Sequence, residues 1–303
     1  MTSTQTQSQI TPARAWLLAA RPATLPAAIV PVLVGTALAV GGGHFRPLPF
    51  LATLVASLLI QIGTNLANDL FDFQKGADTA ERLGPPRVTQ SGLIPPATVK
   101  NAMIGVFTAA ALIGVYLILV GGLPILIVGV LSIISAVAYT GGPWPLGYHG
   151  LGEVFVFLFF GVVAVTGTYY LQADTVTGLA LAASLPVGLL CTAIIVANNI
   201  RDIDTDRRAG KRTLAVRIGR PATRALYTAC LGVAYLVPPG LWLLGRLTPL
   251  ACLPLATLPL AVPLLRTIWA DTAGPPLIGV LQGTGRLHLL FGVLFAISLL
   301  RLA

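Results

Sequence analysis

Apolar runs of membrane-spanning length recur along nearly the whole of this chain, separated by short polar connections, and that recurrence excludes most folds at once. In hydrocarbon every backbone amide must find its partner within the protein, so runs of this kind are read as helices packed on one another. Charged residues make up 10% of the 303 residues, against about 25% in ordinary soluble domains. The pattern predicts an all-α polytopic membrane protein with about nine transmembrane helices, near 14–40, 48–73, 98–119, 123–140, 152–171, 176–200, 221–243, 249–268 and 287–302. The stretch PPLIGVLQGTG leaves open an extension of the last helix back across 269–286. Residues 1–11 are expected to form a disordered tail and 12–303 a single transmembrane domain. The polar opening lacks a basic start, a short apolar core and a small-residue cleavage site, so no cleavable signal peptide is expected.

In a soluble protein a net charge of +9 would raise nucleic acid as a partner. Here no nucleic acid is expected, because Lys and Arg accumulate in the cytoplasmic loops of membrane proteins. With the N-terminus cytoplasmic, nine spans leave Arg46, Arg246 and Arg301 outside and the other 16 of the 19 basic residues inside, eight of them from Arg201 to Arg224. The expected location is therefore the plasma (inner) membrane, multi-pass, with the acidic motifs facing the cytoplasm. Cys191, Cys230 and Cys252 lie in apolar runs without metal-ligand spacing and read as core residues, while the scattered His44, His149 and His288 argue against a haem or zinc site.

Two helix ends break the apolar pattern with carboxylates. NLANDLFDFQKGAD, residues 65–78, sets Asn65, Asp69 and Asp72 at i, i+4 and i+7, about 400° and 700° of rotation, hence on one face if the helix continues. NNIRDIDTDRRAGKR, residues 198–212, sets Asn198, Asp202 and Asp206 at steps of four. Either stretch alone reads equally as a solvated helix end. Both together, each led by Asn and one in each half of the chain, point to one divalent-metal site. Oxygen ligands on an open face suit Mg²⁺ completed by substrate phosphates, for which Lys75, Arg201, Arg207, Arg208, Lys211 and Arg212 are candidate partners. An ion-coupled transporter would set its carboxylates near the bilayer midplane on broken helices. These stand at helix ends beside basic loops.

The connection at about 74–97 is too charged and too rich in Gly and Pro to span, and is placed to close over a phosphate. Pro22, Pro26 and Pro31 are expected to kink or unwind the first helix, with Arg21 near a polar mouth. Tyr139 and Tyr148 flank the turn after the fourth helix and read first as interfacial aromatics. Glu153 opens the fifth helix, either as a substrate contact or as a helix N-terminal charge.

Asn65, Asp69 and Asp72, followed by Lys75, Gly76 and Asp78, and then Asn198, Asp202 and Asp206, resemble the two Asp-rich motifs of the UbiA-type intramembrane aromatic prenyltransferases. The likeness runs from RPATLPAA to the last helices. NLANDLFDFQKGAD, RLGPPRVTQSGLI and NNIRDIDTDRRAGKRTLAVRIG are most similar to the branch that prenylates 1,4-dihydroxy-2-naphthoate for menaquinone. The resemblance implies nine helices around a central cavity with a lateral opening to the lipid bilayer, Mg²⁺, a polyprenyl diphosphate donor and a naphthoate acceptor that loses its carboxylate. On that reading Asp69, Asp72, Asp202 and Asp206 hold the metal, Asn65 and Asn198 ligate it or orient the carboxylates, and Lys75, Arg201 and Lys211 stabilise the diphosphate. Tyr139 faces the allylic cation, Arg21 meets the acceptor carboxylate and Glu153 is the candidate proton acceptor. The alternative acceptors are 4-hydroxybenzoate, homogentisate and haem, and the alternative group is phytyl.

Overall fold

The computed structural model describes residues 10–77, 86–270 and 274–302. Most of the expected tail and Asp78 lie outside the described residues. Thr11 accepts a hydrogen bond from the Arg14 amide and, with proline in the first turn, starts α1 (Pro12–Ala20). Arg21 then adopts a left-handed conformation (φ 50°), a short 3₁₀ turn covers Pro22–Thr24, and α2 (Pro26–Gly41) departs at 48°. The bend falls where the prolines predict. Pro22 and Pro26 each supply a first position that needs no amide donor, so the helix is restarted there, whereas Pro31 lies inside α2 without ending it.

Helix α3 (Pro47–Gln74) carries the first motif on its last turns. Helix α4 (Pro96–Ala138) has 43 residues, about 65 Å if straight and twice a bilayer core of about 30 Å. Gly122, at φ 67° and ψ −152°, interrupts it and divides it into two spans, a conformation open to glycine and costly for other residues. Helix α5 (Gly152–Val156), a π-helical stretch at Phe157–Val163 and α6 (Ala164–Ala173) make one span. Helix α7 (Gly178–Arg208) continues well past the expected end near 200, so Asn198, Asp202 and Asp206 are all helical. Helix α8 (Leu214–Leu243) is broken at Gly219, and a 3₁₀ stretch at Pro249–Thr257 leads into α9 (Leu258–Trp269). Helix α10 (Pro275–Leu299) starts earlier than the expected 287, because prolines open it and PPLIGVLQGTG continues it. With the bent α1–α2 pair counted once and α4 divided at Gly122, the described residues offer nine candidate spans.

Helix α7 is the most deeply buried of the candidate spans. Its small residues Ala180, Ala183, Ala193 and Ala197 are fully buried, which lets the neighbouring helices approach closely. A Cβ on Gly161 would lie 2.5 Å from the Gly188 Cα, so the π-helical stretch meets α7 backbone to backbone. Leu112, Leu119, Leu123, Ile127 and Ile134 of α4 point outward instead, an apolar surface suited to lipid. The chain ends of α3 and α7 meet at one end of the bundle. At the other, Gln172 brackets the start of α3, accepting from the Arg46 amide (2.6 Å) and donating to the Arg46 carbonyl (3.1 Å).

Candidate active site

Between these elements lies a cavity of about 370 Å³. Its polar wall is built from α3, α7, the segment before α4 and the connections after α4 and α7. Asp72 stands at the junction. Its Oδ1 accepts from the Tyr148 hydroxyl (2.6 Å) and from Lys211 Nζ (3.0 Å), and its Oδ2 accepts from Arg87 Nη2 (3.4 Å). The Tyr148 ring has two ammonium groups against it, Lys211 Nζ at 4.7 Å and Lys75 Nζ at 5.1 Å from its centroid. Tyr148 is thus part of the site rather than an interfacial belt.

Lys75 sits behind this cluster and does not line the cavity. Its ammonium donates to the Thr140 and Gly142 carbonyls at 2.7 and 3.1 Å, which ties α3 to the turn after α4. Burial lowers its pKa, the Asp72 charge opposes that, and Lys211 adds to the lowering.

On α3 the cavity face is the stripe Gln61, Asn65, Asn68 and Asp72, at steps of four, three and four, which keeps all four within about 60° of rotation. Asp69 falls on the flank, about 80° around from Gln61. Its oxygens accept from the Val88 amide (3.1 Å) and the Thr89 amide (2.9 Å) instead of facing the cavity with Asp72. Asn65 lines the cavity but spends its amide on the Ala20 carbonyl and the Thr24 hydroxyl, both at 2.9 Å, while Arg21 Nη2 donates to the Asn65 carbonyl at 3.4 Å. It therefore fastens the broken first span to α3, with Arg21 on the cavity wall. Asn68, next to Asp69, accepts from the Thr140 hydroxyl at 2.8 Å.

Helix α7 presents Asn198, Asp202 and Asp206 to the cavity, as the spacing predicts. Arg201, also on the wall and buried, donates to both oxygens of Asp202 at 2.7 and 2.5 Å and to Asn198 Oδ1 at 2.9 Å. Glu153 is buried behind the wall. Its Oε1 accepts from Asn199 Nδ2 at 2.8 Å, its Oε2 has no hydrogen-bond partner among the described residues, and it reaches the cavity through Asn199.

Among the described residues no three carboxylate, histidine or cysteine groups come together as a metal cage. Four aspartates around one ion, the arrangement expected from the motifs, is therefore not assembled by the protein alone. The donors on the wall are oxygens all the same: Asn68 and Asp72 on one side, Asn198, Asp202 and Asp206 on the other. That set fits Mg²⁺ held by one or two carboxylates with water and phosphate oxygens completing the octahedron.

Tyr139 lines this cavity and also an adjoining apolar chamber of about 130 Å³, bounded by residues including Ala27, Ile60, Phe155, Phe159 and Phe160. Burial, followed by the carboxylates of Glu153, Asp72 and Asp206, pushes its pKa up. The ring is shelved on glycines: a Cβ on Gly152 would sit 2.7 Å from the Tyr139 hydroxyl, and one on Gly147 3.1 Å from the ring.

Asn68, Arg87 and Asn199 were not singled out from the sequence, and Tyr148 was read only as an interfacial aromatic. Asn68 was legible as a member of the stripe from Gln61 to Asp72. Arg87 and Tyr148 come from irregular connections, whose side-chain positions no periodicity encodes.

Residues 28–274 match the model of the UbiA prenyltransferase family. The chain is similar to 1,4-dihydroxy-2-naphthoate octaprenyltransferase of Escherichia coli, 40% identical over 301 residues and covering 97% of each chain. It is similar to the enzyme of the same name from Mycobacterium tuberculosis, 40% identical over 281 residues, 93% of this chain and 95% of the other. Among solved structures it shares the fold of a UbiA homologue from Archaeoglobus fulgidus bound to GPP and Mg²⁺, with TM-score 0.67, 15% identity and coverage of 94% and 99%. An Aeropyrum pernix UbiA homologue gives TM-score 0.68, 17% identity and coverage of 90% and 96%.

Proposed function

This chain belongs to the UbiA prenyltransferase family, and we propose that it transfers a polyprenyl group from polyprenyl diphosphate to 1,4-dihydroxy-2-naphthoate. The single observation that carries the reading is the position of Tyr139, on the seam between a cavity walled by acidic and basic groups and an apolar chamber. A diphosphate ester of a long isoprenoid has that polarity, with its reacting carbon at the seam.

The side chains divide the work. Lys211, Arg87 and Arg201 line the wall and meet the diphosphate oxygens. Asn68, Asp72, Asn198, Asp202 and Asp206 would hold Mg²⁺, which when bound neutralises charge on the departing diphosphate. Carboxylates that now pair with Arg201, Lys211 and Arg87 exchange those partners for the loaded site. The π face of Tyr139 meets the allylic carbon as positive charge develops, and the phenylalanines of the chamber exclude water from it.

The naphthoate ring forms a bond to the allylic carbon as the carbon–oxygen bond to diphosphate breaks. If attack comes from the carbon bearing the carboxylate, carbon dioxide leaves, its bonding pair restores the aromatic ring, and the product is the demethylated quinol. No net proton is removed from the acceptor on that route. Glu153 then serves to orient Asn199 on the cavity wall, and a base role is called for only with an acceptor that does not decarboxylate. Arg21, on the wall beside Thr24 and Asn65, is placed to meet the acceptor carboxylate. On this reading the site faces the cytoplasm from the plasma membrane, which the basic residues at that end of the bundle support.

Purified protein in detergent or lipid, supplied with the naphthoate and a polyprenyl diphosphate with Mg²⁺ present or chelated, tests this directly. The expected result is Mg²⁺-dependent prenylated naphthol with release of diphosphate and carbon dioxide. Transfer only to 4-hydroxybenzoate, homogentisate or haem would overturn the acceptor and keep the fold's chemistry.

A further inference from the structure

We infer that Asp69 is a positioning residue, which fastens the segment after Pro86 to α3 and so presents Arg87 to the diphosphate, and that its carboxylate stays out of the metal's coordination shell. The inference rests on the prenyltransferase reading and assigns one residue's part in it. Asp69 is 2% exposed, and its two oxygens are taken by consecutive backbone amides, Val88 at 3.1 Å and Thr89 at 2.9 Å. Successive amides converging on one carboxylate make a small anion-binding concavity. Val88 is fully buried, its carbonyl accepts from the Ile94 amide at 3.1 Å, and Val88 and Ile94 share a core cluster with Leu66 and Leu70 of α3. The segment is thereby fixed by hydrogen bonds and by packing together.

The residue just before the anchored pair is Arg87, whose guanidinium enters the cavity and reaches Asp72 Oδ2 at 3.4 Å. Two carboxylates one turn apart thus act in different directions. Asp72 faces the substrate, while Asp69 holds the backbone that carries a cation toward it. Turning Asp69 to a metal would strand two buried amides, which native structures almost never tolerate. Asn68 and Asp72 already supply oxygens from the face of α3 that meets the cavity.

Hydrogen exchange on the full-length wild-type protein in lipid nanodiscs, resolved to single amides by electron-transfer fragmentation, tests the anchor without a variant. The Val88 and Thr89 amides should exchange slowly in Mg²⁺-free protein and stay slow when Mg²⁺ and inorganic diphosphate are added. Acceleration on loading would mean that Asp69 leaves the amides for the metal, and would overturn the inference. In kinetics, Asp69→Asn and Arg87→Ala should each raise the donor KM by about tenfold and leave half-saturating Mg²⁺ within about twofold. The double variant should be no worse than Arg87→Ala alone, since the two act through one contact. A tenfold rise in half-saturating Mg²⁺ for Asp69→Asn, or full additivity, would sink it. If wild-type protein transfers no prenyl group, the enzymatic reading fails, and the exchange measurement still decides what Asp69 does.

Discussion

Lys211 Nζ donates to Asp72 Oδ1 at 3.0 Å across 139 residues of sequence. This contact joins the end of α3 to the connection after α7, and with it the two halves of the chain that carry the acidic motifs. Asp72 also accepts from Tyr148 and Arg87, so one carboxylate organises three elements.

Replacing Asp72 should therefore cost more than any other change at the wall. Asp72→Asn should lower kcat/KM for the donor by about 100-fold or more, while Lys211→Ala should chiefly raise donor KM, by about tenfold. Steady-state kinetics with donor and acceptor varied separately checks both. Equal loss in kcat and no change in donor KM for Lys211→Ala would place that ammonium elsewhere in the reaction.

Chelation of Mg²⁺ should abolish transfer and readdition should restore it, because the wall offers oxygens without a closed protein cage. Asp202→Asn should raise half-saturating Mg²⁺ by about tenfold and weaken the grip of Arg201, now bonded to both Asp202 oxygens. A metal titration at fixed donor reads this. A variant with the wild-type Mg²⁺ requirement would remove Asp202 from the site.

Tyr139 tests whether ring or hydroxyl matters. Tyr139→Phe should keep kcat within about threefold and Tyr139→Leu should lose about 30-fold, because the aromatic face stabilises positive charge. Gly152→Ala should resemble the Leu variant, since its Cβ would press on the Tyr139 hydroxyl at 2.7 Å. Single-turnover rates isolate the chemical step from release.

At the opposite end of the bundle the effect should be on stability alone. Gln172→Ala removes two hydrogen bonds to the Arg46 backbone and should cost about 1–3 kcal/mol. Asp174→Ala removes an exposed pair with Arg46 and should cost under about 1 kcal/mol. Thermal unfolding in one detergent compares them, with transfer rates unchanged in both.

Much of this was written in the chain itself. Apolar run length and the near absence of charge determined an all-helical, many-span protein, and four-residue spacing put Asn198, Asp202 and Asp206 on one wall, because a helix is periodic and its face follows from arithmetic. The same arithmetic left Asp69 and Asp72 together, and there it was too coarse. Asp69 lies about 60° around the helix from Asp72, and there the amides of Val88 and Thr89, arriving from a non-helical segment, engage it on the flank. Arg87 and Tyr148 reach Asp72 from connections that lie 15 and 76 residues from it along the chain. Sequence determined which residues each helix turns to a common face. Tertiary structure decided which carboxylate faces substrate and which holds the backbone, because two polar groups one turn apart compete for partners that lie far away along the chain.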